Sequence, residues 1–412
     1  MWPQELKFLL TRSLLPSYRP TPSFHPRFLS SSAPSPSSKP LLILGLESSA
    51  DDSCVSIVTS DRRILSNIVL KQTDLLEKWA HQRNIPRAIQ QALKEAGVGL
   101  GDLDGIAFTR GPGMYGCLSQ CAGAAKALAA ATGLPLMGVH HMQAHALTPF
   151  LTEKTPPTFP FLTLLLSGGH TLLLLARSET DFKILATTQD ESIGASLDKA
   201  SRALEIPLSL GHGSAGAALE AFAFGSSITT TTTTSPDSST LPSPPSFPLP
   251  FRHQLSFSYS GARSSLTRLL TAEPPNEMTE ERKKQVSGAF MKAAFEQVGE
   301  KVGLAVRGFE KEVKEVGGEE RLGGLVVSGG VASNLYLRRS LRAKLDSLGY
   351  PTMPLIFPPP HLCTDNAAMI AQVGHSRLRR GRIDPLTVGL KAKWSIEECE
   401  RDFEEGGEVE RE

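Results

Sequence analysis

The chain has 412 residues, 40% of them hydrophobic, which is enough for a large core and more than one lobe. A formal net charge of +1 gives no global bias towards nucleic acid or acidic ligands, so local patches must decide. Five scattered cysteines (Cys54, Cys117, Cys121, Cys363, Cys399) make no CxxC pair, which argues against a zinc ribbon or a disulfide framework, and no apolar run reaches the roughly 18–20 residues of a membrane span.

From Met1 to about Pro40, Lys7, Arg12, Arg19, Arg27 and Lys39 face one acid, Glu5, beside serine-rich runs. Leu6, Leu9 and Leu10 would share one face of a short helix. That composition is expected of a mitochondrial transit peptide, with a plain disordered tail as the alternative. At Leu41 the pattern changes abruptly. LLILGLESS is a buried strand ending in polar residues, ADDSCVSIV resumes as a second strand with Asp51 and Asp52 at the turn, and Ile64–Val69 is a third. Strand, acidic turn, strand, strand is how lobes of the RNase H-like, actin-type ATPase architecture begin. Turn aspartates can also simply cap backbone groups. Pro86–Gly97 is expected to be an amphipathic helix ended by glycine, and Gly105–Phe108 a strand. Gly111, Gly113 and Gly116 match GxGxxG, yet the ribose-binding acid expected about twenty residues later is absent, so these glycines serve a tight turn and close packing. Ala122–Thr132 is a small-residue helix. His141 and His145 follow, four residues apart, so that on a helix both imidazoles share a face and suit one divalent metal.

Phe159–Ala176 reads as two apolar strands around SGGHT, a turn whose backbone N–H groups can face an anion. DESIGASLDKASRAL brings a helix carrying Asp198, and LGHGSAGAALE a glycine turn before another helix. Residues 226–250, with a polythreonine run and Ser/Pro repeats, are expected to be a disordered insertion. FSYSGARSSL restores order, a charged helix runs from about Thr279 to Glu315, and LVVSGGVASN is strand, glycine turn and helix start. PPPHLCTDNAAMIA puts Asp365 and Asn366 at a helix start, where an aspartate can be a mere N-cap. Acidic residues dominate the tail 391–412, expected to be solvated.

Taken together, GLESSADDS, TRGPGMYG, GVHHMQAH, LLSGGHT, SLDKA, FSYSGA, SGGVASN and LCTDNAAMIA resemble, in order, the motifs of the TsaD family of tRNA N6-adenosine threonylcarbamoyltransferases. With the transit-like start, the chain is most similar to the family's mitochondrial members. The resemblance implies an α/β actin-like ATPase superfold (ASKHA) of two RNase H-like lobes, 41–150 and 151–390, with the last helices returning to the first lobe and a metal and nucleotide site in the cleft. It implies that His141, His145 and Asp365 bind one divalent metal, zinc or iron before manganese. Leu165, Leu166, Ser167, Gly168 and Gly169 would contact the adenylate, with Asp198, Gly216 and Asn334 as further nucleotide contacts. Asp51 and Asp52 match the acidic pair near the reaction centre. The implied reaction moves threonylcarbamoyl from threonylcarbamoyl-AMP, supplied by a separate synthase, to N6 of adenosine 37 in the anticodon loop of mitochondrial tRNAs reading codons that begin with A. A homodimer without membrane attachment is also implied.

The residues bear on two other enzyme readings. A zincin peptidase needs H-E-x-x-H, and Met142 follows His141. An ATP-binding phosphotransferase of the same superfold remains open, as does a tRNA-binding homologue that only scaffolds. The chain departs from the family where EKWAHQRNIP runs from Trp79 straight to His81, about a dozen residues short of the usual pattern, and where Ala50 replaces the usual cysteine. For tRNA phosphates the strongest basic cluster is Arg377, Arg379, Arg380 and Arg382, followed by Arg338, Arg339 and Arg342.

Overall fold

The computed structural model describes residues 39–71, 80–211, 214–225 and 242–401. The first sheet is built from β1 (Leu42–Glu47), β2 (Ser53–Thr59), β3 (Ile64–Leu70), β4 (Gly105–Gly111) and β5 (Leu136–His140), with α1 (Ala80–Ala96) and α2 (Tyr115–Thr132) between them. Two short helices, α3 (His141–Leu147) and α4 (Pro149–Thr152), lead to β6 (Phe161–Leu166), β7 (Thr171–Ala176) and β8 (Phe182–Thr187). The chain continues through α5 (Ile193–Ala203), α6 (Ala215–Phe224), α7 (Ser260–Ala272), α8 (Glu280–Glu315), β9 (Leu325–Ser328), α9 (Leu335–Ser347), β10 (Leu355–Ile356), α10 (Pro360–Cys363) and α11 (Ala367–Arg379).

The strand orders are β3-β2-β1-β4-β5 and β10-β9-β6-β7-β8. In each sheet an antiparallel meander of three strands is followed by two strands parallel to the first of them. The second sheet therefore repeats the topology of the first, and the protein has the two-lobed, actin-like α/β fold.

Period-two alternation along β1 explains the layering. Leu42, Leu44 and Leu46 pack with α1 and α2 on one face, while Ile43 joins α11 on the other. That second core also takes in Met142 and Ala146 of α3 and Phe161, Leu165 and Val326 of the second sheet. α3 and α11 thus lie in a core shared by both sheets. Glycines set the spacing: a Cβ on Gly45 would land on the Ala367 carbonyl oxygen, and one on Gly374 would sit 2.6 Å from Ala107 Cβ. Leu162, Leu164 and Leu166 face the opposite way, into the core formed with α5 to α9.

Four sequence expectations need adjusting. α1 begins at Ala80, six residues before the expected start, with Pro86 inside it rather than in its first turn. α2 begins at Tyr115, because Tyr115 and Gly116 open the helix, with Met114 at its N-cap, instead of preceding it. The expected insertion falls partly on residues 226–241, outside the described residues, but 242–250 are anchored by Phe247, which is buried edge-on against Phe290 of α8. The tail is not simply solvated over its described part, 391–401. Trp394, Ile396 and Cys399 are buried there, and Glu397 Oε1 accepts the N–H of Ile184 at 2.8 Å on edge strand β8. The proposed transit segment and the shortened stretch before Ala80 lie outside the described residues, apart from Lys39 and Pro40.

Candidate active site

The ends of β1, β5, β6 and β9 converge with the α10–α11 junction on one cleft. At β5, the His140 ring starts α3 by accepting the N–H of Met142 at 3.1 Å and of Gln143 at 3.4 Å. The turn of helix that follows sets the His141 and His145 rings edge to face, with centroids 4.7 Å apart. At α11, Asn366 takes the N-cap role, its Oδ1 accepting the Met369 N–H at 3.0 Å. That leaves the Asp365 carboxylate for the histidines. Its Oδ1 lies 3.0 Å from His145 Nε2 and 3.5 Å from His141 Nε2. One ligand atom from each of the three residues falls within a 4.8 Å group.

Both imidazoles are buried, whereas the Asp365 side chain is 30% exposed, so the group opens to the cleft on one side. Two imidazoles and one carboxylate, with an open side, fit a divalent cation that keeps a position for substrate.

One residue that sequence reading passed over completes this geometry. Glu47, 1% exposed at the end of β1, puts Oε2 at 3.2 Å from His141 Nδ1, and accepts from the Thr109 hydroxyl and, through Oε1, from the Ser49 N–H at 2.6 Å. A carboxylate on Nδ1 fixes the ring so that Nε2 faces the cleft. Burial drags on both partners of this pair. The Glu47 charge, and then Asp365, override it and lift His141 to about 9, while His141 holds Glu47 below the ordinary carboxylate range. Burial also raises Asp365, and His141 and His145 more than offset it, keeping the carboxyl ionised. We expect Glu47→Gln to weaken metal binding by about 10–100-fold while leaving the fold intact. Metal retained against a competing chelator is the measurement, and unchanged retention would remove Glu47 from the site.

Asp51 is exposed and Asp52 partly buried, in the turn between β1 and β2. His81, the second residue of α1, fastens this turn. Its Nδ1 lies 2.7 Å from Ser53 Oγ and its Nε2 2.8 Å from the Ala50 carbonyl. Burial, and then the Asp365 carboxylate, push Asp52 up to about 6.

The expected nucleotide residues fall into four groups. Leu165 and Leu166 are buried strand residues facing opposite cores, so only their backbone is available. Ser167, Gly168 and Gly169 form the β6–β7 turn, with open space above both glycines. Here the Gly169 and His170 N–H groups turn inwards onto Ser167 Oγ, at 3.3 and 3.0 Å, so an anion would have to replace that hydroxyl. Gly194 of α5 abuts the same turn, its N–H donating to the Ser167 carbonyl at 3.2 Å. Asp198 and Gly216 are brought together, the Gly216 N–H donating to Asp198 Oδ1 at 2.8 Å. Asn334 caps α9 by accepting the Leu337 N–H at 2.8 Å and is 6% exposed. In the β9 loop, Gly329 has φ +94 and a Cβ there would strike the Leu166 carbonyl, so only glycine fits.

Most of the expected phosphate-binding arginines are engaged in the fold. Arg377 is buried and its Nη2 lies 3.1 Å from Asp384, which also accepts the Gly138 N–H at 2.7 Å. Arg380 pairs with Glu179 at 3.0 Å. Arg342 donates to the Met353 and Tyr350 carbonyls at 2.8 and 2.5 Å, and Arg338 lies 4.5 Å from the centroid of Phe357.

Comparison with known proteins gives the family. The family model for TsaD, tRNA N6-adenosine threonylcarbamoyltransferase, matches residues 63–372. A tRNA N6-adenosine threonylcarbamoyltransferase of Agrobacterium fabrum is 34% identical over 372 residues, covering 87% of this chain and 94% of that protein. One from Cereibacter sphaeroides is 36% identical over 378 residues, covering 87% and 95%. Among solved structures, component A of the Acidaminococcus fermentans (R)-2-hydroxyglutaryl-CoA dehydratase is similar with TM-score 0.47 at 15% identity, covering 82% of this chain and 98% of that one. By the extent of the family match and the near full-length relatives, the chain belongs to the TsaD family of tRNA N6-adenosine threonylcarbamoyltransferases.

Proposed function

We propose that this protein transfers the threonylcarbamoyl group of threonylcarbamoyl-AMP to N6 of adenosine 37 in mitochondrial tRNAs reading codons that begin with A, releasing AMP. The observation that carries the reading is the convergence of His141, His145 and Asp365 on one open-sided group beside the Asp51–Asp52 turn. These three residues would hold a zinc or iron ion, which when bound supplies Lewis-acid polarisation of the acyl donor. The β6–β7 turn and the Asp198–Gly216 pair would receive the adenylate. The N6 amine attacks the carbamoyl carbon, the bond to the phosphate oxygen breaks, and the amine proton is lost. Asp52 is better placed than Asp51 to accept that proton, being partly buried and poised near neutrality. The basic, acid-poor first forty residues support a mitochondrial address. Family membership supports a separate synthase for the donor and a homodimer.

The direct test mixes the full chain with threonylcarbamoyl-labelled adenylate and unmodified tRNA, and follows label into the tRNA. Label in the tRNA supports the reading. ATP hydrolysis without label transfer would favour a phosphotransferase, and tRNA binding without either would favour a scaffold.

The Asp52 assignment has its own check. A carboxyl whose folded pKa lies above its unfolded value lowers stability as pH rises from about 4 through 6. In metal-free protein, Asp52→Asn should therefore gain about 1 kcal/mol at pH 8, after discounting for solvent screening, and nothing at pH 4. Urea denaturation at the two pH values reads this out, and equal gains at both would show that Asp52 is not poised.

A further inference from the structure

The turn after β4 leaves two large apolar side chains in solvent. Met114 is 51% exposed and Tyr115 is 66% exposed, more than any other Phe, Tyr or Trp among the described residues. Single exposed apolar residues need no explanation. These two are adjacent, and they are fixed to the wall of the cleft. The Met114 N–H donates to the Ser49 carbonyl at 2.9 Å, and Ser49 Oγ lies 3.3 Å from His141 Nδ1. Gly113 packs so closely that a Cβ there would come within 2.7 Å of the Ser49 carbonyl oxygen. The platform is thus rigidly coupled to the His141 side of the site.

Its flank is basic. The Gly113 N–H donates to the Ala392 carbonyl at 3.1 Å, and the Lys391 N–H donates to the Arg110 carbonyl at 3.0 Å, so the segment Lys391–Lys393 runs alongside the turn. Lys393 is exposed, while Lys391 and Arg110 lie 4.8 and 5.4 Å from the centroid of the Trp394 ring. On the cleft side stands the exposed Asp51, whose charge reaches the thiol of Cys117, two residues beyond Tyr115. A carboxylate there repels phosphate and tolerates a neutral base.

Resting on the transferase reading above, we infer that Met114 and Tyr115 form a stacking platform for an unpaired base of the tRNA loop, with the backbone phosphates running past Lys391–Lys393. Every nucleobase offers a π-face to an aromatic ring, and a base splayed from a loop needs such a surface once it leaves its neighbours. The platform holds the loop while the target adenine enters the cleft. Its role is positioning.

The test uses the full chain and an anticodon stem-loop RNA carrying 2-aminopurine beside the target adenosine. Tyr115→Ala should weaken RNA binding and raise the KM for RNA about tenfold, and reduce the fluorescence quench, with the KM for the acyl donor unchanged. Tyr115→Trp should restore both. Lys393→Glu should instead lower the salt slope of binding by about one while keeping the quench. Equal RNA affinity of Tyr115→Ala and the unaltered chain overturns the platform. So does a loss that tryptophan does not restore, or a changed sedimentation coefficient with RNA binding intact, which would make this a protein–protein surface. If the unaltered chain binds no RNA, the transferase reading fails and takes the platform with it.

Discussion

Asp365→Ala should strip the protein of its metal and lower threonylcarbamoyl transfer by at least about a thousandfold, the scale of several kcal/mol of lost Lewis-acid stabilisation. The carboxylate is the one anionic member of the donor group and bridges the two imidazoles at 3.0 and 3.5 Å. Without it, His141 and His145 remain as two imidazoles on one helix, a weak chelate. The fold should survive, because Asn366 and not Asp365 caps α11, and Cys54 meets Asp365 only through its carbonyl, at 3.6 Å. Metal analysis beside a thermal melt separates these effects. Full metal content in the variant would mean that the ion binds elsewhere.

Gly45→Val should be strongly destabilising, by about 3 kcal/mol or more, since overpacking here meets backbone. The new Cβ would land on the Ala367 carbonyl oxygen and 3.0 Å from the Ala371 nitrogen. Neither atom can swing aside as a side-chain tip would, so α11 must lift from β1. Asp365 lies two residues before Ala367 and would move with it, so metal affinity should fall although no ligand has changed. Gly123→Ala is the matching control, because nothing lies within 4 Å of a Cβ there. Urea denaturation and metal titration of both variants check the argument. Retained metal affinity in a destabilised Gly45→Val would show that the junction tolerates the shift.

Local patterns were legible in the sequence, and contacts across the chain were not. Apolar runs ending in polar turns marked β1, β6 and β7, and the four-residue spacing of His141 and His145 put both rings on one face once α3 is helical. Glu47 reads in the chain as the polar end of a buried strand, because its partners Thr109 and His141 lie 62 and 94 residues away. Asp365 and Asn366 are equally good helix caps on paper, and only the fold shows which one caps. The arginines of α11 look like a solvated run until Asp384 is seen to bury Arg377 against β5. Composition hid Phe247, one aromatic anchor in a Ser/Pro-rich stretch. Resemblance supplied Asp365, Asp198 and Asn334, which no local pattern distinguishes.

The position of α11 between the two sheets has a consequence for biosynthesis. His145 and Asp365 are 220 residues apart in the chain. At ordinary elongation rates of about 5–20 residues per second, roughly 10–40 s pass between their appearances at the ribosome. Throughout that interval the face of the first sheet lined by Ile43, Val58 and Ala107 waits for Ala368, Ile370 and Val373 to cover it. The nascent N-terminal half is therefore an open-faced sheet, exposed to misassembly and to chaperone capture until the last long helix closes it. A ribosome stalled before residue 367 would present a sticky fragment rather than a small stable domain.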